Sequence, residues 1–217
     1  MRYIVLDTET TGLDPDDGHK IIEIGCTEIL NRNVTNNSFH KYINPEREID
    51  IEASKIHGLT LNSLKDKPLF SDVVEEFINY IGDSPLIIHN APFDLGFLNK
   101  EFSYLENNQC VIKNEIIDSL KLARKISPGK KNTLDALCDR YSVDNTDRTL
   151  HGALLDAQLL AYVYLKMTVG QNDFVDLTVD ENTSHKKIER MHDNFKIIEP
   201  SSMEHELHKK YFKKNIN

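Results

Sequence analysis

Five residues spread along the chain carry side chains suited to holding divalent cations and moving a proton: Asp7, Glu9, Asp94, His151 and Asp156. In a strand, residues two apart point to the same side, so Asp7 and Glu9 project together from the end of the apolar run Tyr3-Ile4-Val5-Leu6. Two like charges so close repel. A divalent cation between them turns the repulsion into binding, and hard carboxylate oxygens suit Mg²⁺ or Mn²⁺. Asp94 is followed at i+3, i+4 and i+8 by Phe97, Leu98 and Phe102, and Asp156 shares a helical face with Ala153, Leu160, Val163 and Met167, so both carboxylates are expected to face inward. An unpaired carboxylate in that position is costly and must be hydrogen-bonded, ion-paired or bound to metal. His151 stands just ahead of the Asp156 helix, where a loop presents its ring to the same acids as a proton acceptor near neutral pH. Taken singly, each residue has a bland explanation: an acidic turn, a charge favoured at a helix N-terminus, one surface histidine among nine. The significance lies in the set.

Positioning this set requires a particular order of elements. Arg2 to Leu6, Ile21 to Ile29 and Phe39 to Ile43 read as three strands joined by short polar turns, an antiparallel meander. Glu52 to Ile56 reads as a short helix stopped by Gly58. Phe70, Val73, Val74, Phe77, Ile78 and Ile81 recur at helical spacing. Beyond Pro85 the chain alternates: strand Leu86 to Ile88, helix Phe93 to Phe102, strand Ile116-Ile117, helix Leu120 to Ile126, as in parallel α/β units. Asn132, with Asp135 three positions on, resembles an N-cap for a helix over Leu134 to Tyr141, and Gly152 to Met167 is a long final helix. From Gln171 the apolar periodicity fades into a polar stretch expected of a linker, and Pro200 to Phe212 reads as a short helix needing a partner.

The bulk composition narrows the class. With 217 residues, 39% of them hydrophobic, the chain can bury one full core and carry a short appendage. Cys26, Cys110 and Cys138 form no C-x-x-C pair, which argues against a disulfide framework or zinc site and fits a reducing cytoplasm. The opening residues lack a signal-peptide apolar region, and no apolar run reaches membrane-spanning length. A net charge of −9 is awkward for a nucleic-acid binder unless divalent cations offset the acids and a partner delivers the strand.

Asp7-x-Glu9, Asp94, and His151 followed by Asp156 resemble, in order and local context, the DEDDh 3′→5′ exonucleases of the ribonuclease H-like superfamily. Within it the motifs are similar to those of the ε proofreading subunits of bacterial DNA polymerase III: Asp7-Thr8-Glu9-Thr10-Thr11-Gly12-Leu13, Ile22-Glu23-Ile24-Gly25, His57-Gly58-Leu59, His89-Asn90-Ala91-Pro92-Phe93-Asp94 and His151-Gly152-Ala153-Leu154-Leu155-Asp156-Ala157. The resemblance covers Met1 to about Thr168. It implies an α/β fold, a mixed five-stranded sheet flanked by helices and followed by a C-terminal tail. It also implies two divalent ions, with Asp7, Glu9 and Asp156 as principal ligands, Asp94 completing the set and His151 as general base. Glu52 and His57 match positions that contact the terminal nucleotide, alongside Asp7, Glu9 and Asp156. Thr10 to Leu13 and Phe93 would form the surface that splays the last bases.

The implied organisation is an exonuclease domain over 1–170, a flexible linker over 171–199 and a polymerase-binding segment over 200–217. The implied partners are a single-stranded or frayed DNA 3′ end, the polymerase III catalytic (α) subunit held through the tail, the sliding clamp and a small accessory subunit, in a cytoplasmic, nucleoid-associated protein without membrane contact. Gln171-Asn172-Asp173-Phe174, at the place of a clamp-binding peptide, departs from the usual pattern. The alternatives are an exoribonuclease trimming RNA 3′ ends and a catalytically silent scaffold.

Overall fold

Strand β1 (Arg2–Thr10) runs three residues past the expected end at Asp7, because β2 (Ile21–Leu30) pairs with it antiparallel all the way to Thr10. The backbone groups of the acidic segment are therefore satisfied by the ladder, and Asp7 and Glu9 sit within the sheet, at its rim. The computed structural model describes residues 1–105, 111–146 and 148–169, together with Met203. Apart from Met203, the expected linker, polymerase-binding segment and clamp-like peptide, and Cys110, lie outside the described residues.

Strand β3 (Asn33–Tyr42) also starts earlier than its apolar residues indicate. Its polar first half is an exposed sheet edge whose side chains serve the partner strand: Thr35 and Asn37 both hydrogen-bond Glu28. Strands β4 (Leu86–Ile88) and β5 (Ile116–Asp118) add to the other side of β1 in parallel, giving the order β3-β2-β1-β4-β5. The sheet is mixed and five-stranded, as expected.

Period-two alternation in β1 sends Ile4 and Leu6 to one face and Val5 to the other. The first face is covered by α3 (Phe70–Ile81) and α4 (Ala91–Ser103) through Phe77, Ile81, Phe97 and Leu98. The second is covered by α6 (Leu134–Tyr141) and α7 (Ala153–Met167) through Leu137, Leu160 and Val163. Helices α1 (Ile51–His57), α2 (Leu61–Leu64) and α5 (Ser119–Ile126) complete the described part. The four-residue α2 and a 3-10 turn at Pro15–Asp17 were not expected, since neither is long enough to show a periodicity. The cap of α6 is Thr133, whose hydroxyl accepts from the Ala136 amide. Asn132 instead accepts a hydrogen bond from Arg140, which draws it away from the helix end. Among the described residues no helix is long and apolar enough to cross a membrane.

One glycine sets the spacing between sheet and helix. Gly25 of β2 pairs with Asp7, and a methyl group there would overlap the Ala153 carbonyl group and the Leu154 amide nitrogen at the start of α7. The first turn of α7, which carries Asp156, thus rests directly on the strand beside Asp7. Gly25→Ala should push α7 outward, costing about 1–3 kcal/mol by overpacking and lowering the activity of the acidic set more than the stability loss explains. A melting curve and an activity assay on the same sample check this; wild-type values for both would refute it.

Candidate active site

The odd residues of β1 face α7 and the even ones face α4, so the strand reaches acids on both sides. Asp7 and Glu9 point towards Asp156, while the Thr8 hydroxyl donates to Asp94 Oδ1 at 2.7 Å. Asp94 lies in the first turn of α4, which opens on Asn90 in the left-handed conformation with Pro92 just inside the helix. Asp156 lies in the first turn of α7. Both acids are 3% exposed, so the inward facing expected from their apolar stripes is found.

These elements enclose a groove of about 1070 Å³. Its lining includes Asp7, Glu9, Asp94, Arg148, His151 and Asp156, and also the basic Arg124, Lys130 and Lys131. One ligand atom each from Glu9, His151 and Asp156 fall within 4.8 Å of one another, a grouping able to hold a metal ion. His151 is anchored by its amide, which donates to the Ile56 carbonyl at 3.1 Å, and its Nδ1 lies 3.3 Å from Asp156 Oδ2.

The electrostatics show how poorly this groove tolerates its own charge. Burial, then repulsion from Asp94, Glu9 and Asp156, raises the Asp7 carboxyl well above its ordinary range. Burial and the charges of Asp156, Glu23 and Asp94 push Glu9 up to about 8. Burial lifts Asp94 to about 7 against the opposing hydrogen bond from Thr8. Asp156 alone is lowered, because hydrogen bonds from Arg148 and His151 outweigh its burial. Three acids thus favour protonation in the absence of added positive charge, and a bound cation restores their ionised forms.

The structure therefore brings together five of the residues singled out, Asp7, Glu9, Asp94, His151 and Asp156. Glu52 and His57 lie outside the groove lining. Glu52 is exposed in the first turn of α1 and pairs with Lys55 at 2.6 Å. His57 is 5% exposed, its neighbours including Thr10, Glu23 and His151, and burial lowers its pKa. Sequence reasoning missed Arg148, Thr8 and the role of Glu23, which pairs with Glu9 across β1 and β2 and with His40 at 2.7 Å. Arg148 stands eight positions before Asp156 in a loop, where no periodicity marks a residue as inward-facing.

A mixed five-stranded sheet with an acidic cluster and a histidine at its rim defines a ribonuclease H-like nuclease, and the exonuclease family model RNase_T matches residues 4–164. Exonuclease X, solved in complex with 5′ overhanging duplex DNA, superposes with a TM-score of 0.63 at 27% identity, covering 77% of this chain and 91% of that one. Cell-death related nuclease 4 shares the fold, with a TM-score of 0.66 at 16% identity over 77% of this chain and 64% of its own. Among sequence relatives, DNA polymerase III subunit epsilon of Buchnera aphidicola (subsp. Schizaphis graminum) is 51% identical over 98% of this chain and 96% of the relative. That of Salmonella typhimurium is 55% identical over 78% of this chain and 72% of the relative. The chain belongs to the exonuclease family and, within it, to the DNA polymerase III epsilon subunits. It is a metal-dependent 3′→5′ exonuclease.

Proposed function

We propose that this chain proofreads for a bacterial replicative DNA polymerase III, hydrolysing the terminal phosphodiester of a frayed 3′ end in the groove of Asp7, Glu9, Asp94 and Asp156. The observation that carries the reading is the convergence of these acids from β1, α4 and α7 on one groove with His151 beside Asp156. The donor set, oxygen apart from one imidazole, fits Mg²⁺ or Mn²⁺. Asp7, Glu9 and Asp156 would hold two such ions, with Asp94 completing the charge balance. Bound there, such ions would supply Lewis-acid chemistry, favouring ionisation of a water and offsetting the negative charge at phosphorus.

The remaining steps fall to the chain's own residues. His151, its Nδ1 turned to Asp156, takes the proton of the attacking water at Nε2, and the product is a nucleoside 5′-monophosphate. His57 accepts the Leu59 amide at Nδ1, so its neutral ring carries its proton on Nε2. That buried nitrogen has no well-aligned partner, only a weak contact with the Thr10 backbone. An unspent donor beside the cluster supports a role for His57 in gripping the terminal nucleotide, with Glu52 at the sugar once released from Lys55. Leu13, 83% exposed, and Phe93 supply apolar surface against which bases stack.

Residues 1–170 would form the exonuclease domain, 171–199 a linker and 200–217 the attachment to the catalytic α subunit. The sliding clamp and a small accessory subunit are further partners of the nucleoid-associated assembly. The test is degradation of an end-labelled mispaired DNA primer and an RNA of matched sequence, with Mg²⁺ and then with chelator. DNA should shorten from its 3′ end faster than RNA, and chelator should stop both. Faster RNA trimming would favour the exoribonuclease reading, and chelator-resistant cleavage would refute the metal site.

A further inference from the structure

The loop before α7 delivers Arg148 to the point where the acids converge. Its Nε meets Asp156 Oδ1 at 2.5 Å and its Nη2 meets Asp156 Oδ2 at 2.6 Å, a two-pronged pair that engages both carboxylate oxygens. Nη1 is bonded to Asp135 Oδ1, on a side chain that is 57% exposed, while the Arg148 side chain itself is 6% exposed. Nη2 also lies 3.0 Å from His151 Nδ1 and 3.3 Å from its Nε2. A guanidinium only donates, so whichever ring nitrogen it meets must offer a lone pair. His151 Nδ1 is in turn 3.3 Å from Asp156 Oδ2, so the three side chains form one cluster. One side chain thus engages the two residues that join Glu9 in the candidate metal grouping, and its fixed charge repels a divalent ion from the same place.

We propose that Arg148 is a built-in counter-cation that competes with divalent metal for Asp156, holding the acidic groove together in the metal-free protein and withdrawing towards Asp135 when metal binds. This rests on the reading of Asp156 as a metal ligand. Arg148 faces Asp156, Asp135 and His151 directly and opposes the charges of Asp7 and Glu9. Metal must displace it, so the observed affinity is reduced by the fraction of molecules in which the pair is closed.

The test is calorimetric titration of the full chain with Mn²⁺, without DNA, for wild type, Arg148→Gln and Arg148→Lys, together with melting curves in chelator and in saturating Mn²⁺. Arg148→Gln should bind Mn²⁺ about tenfold more tightly, and Arg148→Lys, which keeps the charge but loses the two-pronged fit, should fall between. In chelator Arg148→Gln should melt below wild type, and saturating Mn²⁺ should close the gap. Weaker Mn²⁺ binding by Arg148→Gln, with the melting gap persisting in Mn²⁺, would make Arg148 a permanent support of Asp156 and overturn the proposal. Unchanged affinity in Arg148→Gln beside a wild type that binds overturns the competition alone. A wild type that fails to bind Mn²⁺ overturns the metal-site reading and the competition with it.

Discussion

Asp7→Asn should yield a folded protein whose turnover on a mispaired primer falls by at least about 10³-fold, the scale lost when a site can no longer stabilise charge developing in the transition state. Asp7 pairs with Gly25, the β2 residue on which the start of α7 rests, and its carboxyl is raised by burial and by three neighbouring acids. An amide of the same shape keeps the packing and removes a charge that metal binding requires. The same substitution relieves repulsion in the metal-free protein, so in chelator above about pH 7 it should melt higher than wild type. Lost activity with raised stability separates a functional acid from a structural one. Activity within tenfold of wild type, or a lower melting temperature in chelator, would show that Asp7 has another task.

The second large effect is an unusual dependence of stability on pH. Glu9 is raised from 4.5 to about 8 and Asp94 from 3.8 to about 7, with Asp7 raised as well. A carboxyl whose pKa is higher folded than unfolded binds its proton more tightly in the native state. Its contribution is fully present below the unfolded value and is lost as the pH rises through the folded one. In chelator, the protein should therefore lose stability between about pH 5 and 8, on the order of 4 kcal/mol for a shift the size of that of Glu9. The lowered acids Asp156 and Glu28 work in the opposite direction below this window, and His57 and His89, lowered from 6.5 by burial, offset part of the loss at its acidic end. Saturating Mn²⁺ should flatten the dependence, because the ion replaces the protons. Melting temperatures across this range, with chelator and with Mn²⁺, decide it. A metal-free protein that is equally stable or more stable at pH 8 than at pH 5 would contradict the account.

Both predictions depend on acids that were legible before any coordinates. Asp94 and Asp156 stood out because a 3.6-residue period made Phe97, Leu98, Leu160 and Val163 a buried face, and a charge on such a face breaks the pattern. Asp7 and Glu9 stood out because a period of two puts them on one side of an apolar strand. Strands whose apolar residues alternate were found for the same reason. The polar half of β3 was not, since an exposed edge carries no apolar signal.

Local periodicity therefore determined which side chains are buried against their chemistry, and the resemblance of the whole set to a known family supplied the class of reaction. Tertiary structure decided which of those groups meet. Gly25 has no side chain to announce its role; only the approach of α7 to β2 shows that its missing methyl group lets Asp156 reach Asp7. Thr8 is an ordinary strand residue until α4 brings Asp94 within 2.7 Å of it. Arg148 sits in a loop, whose direction is set by the helices it joins and not by any repeat, so its hold on Asp156 emerges only once residues far apart in sequence share one groove.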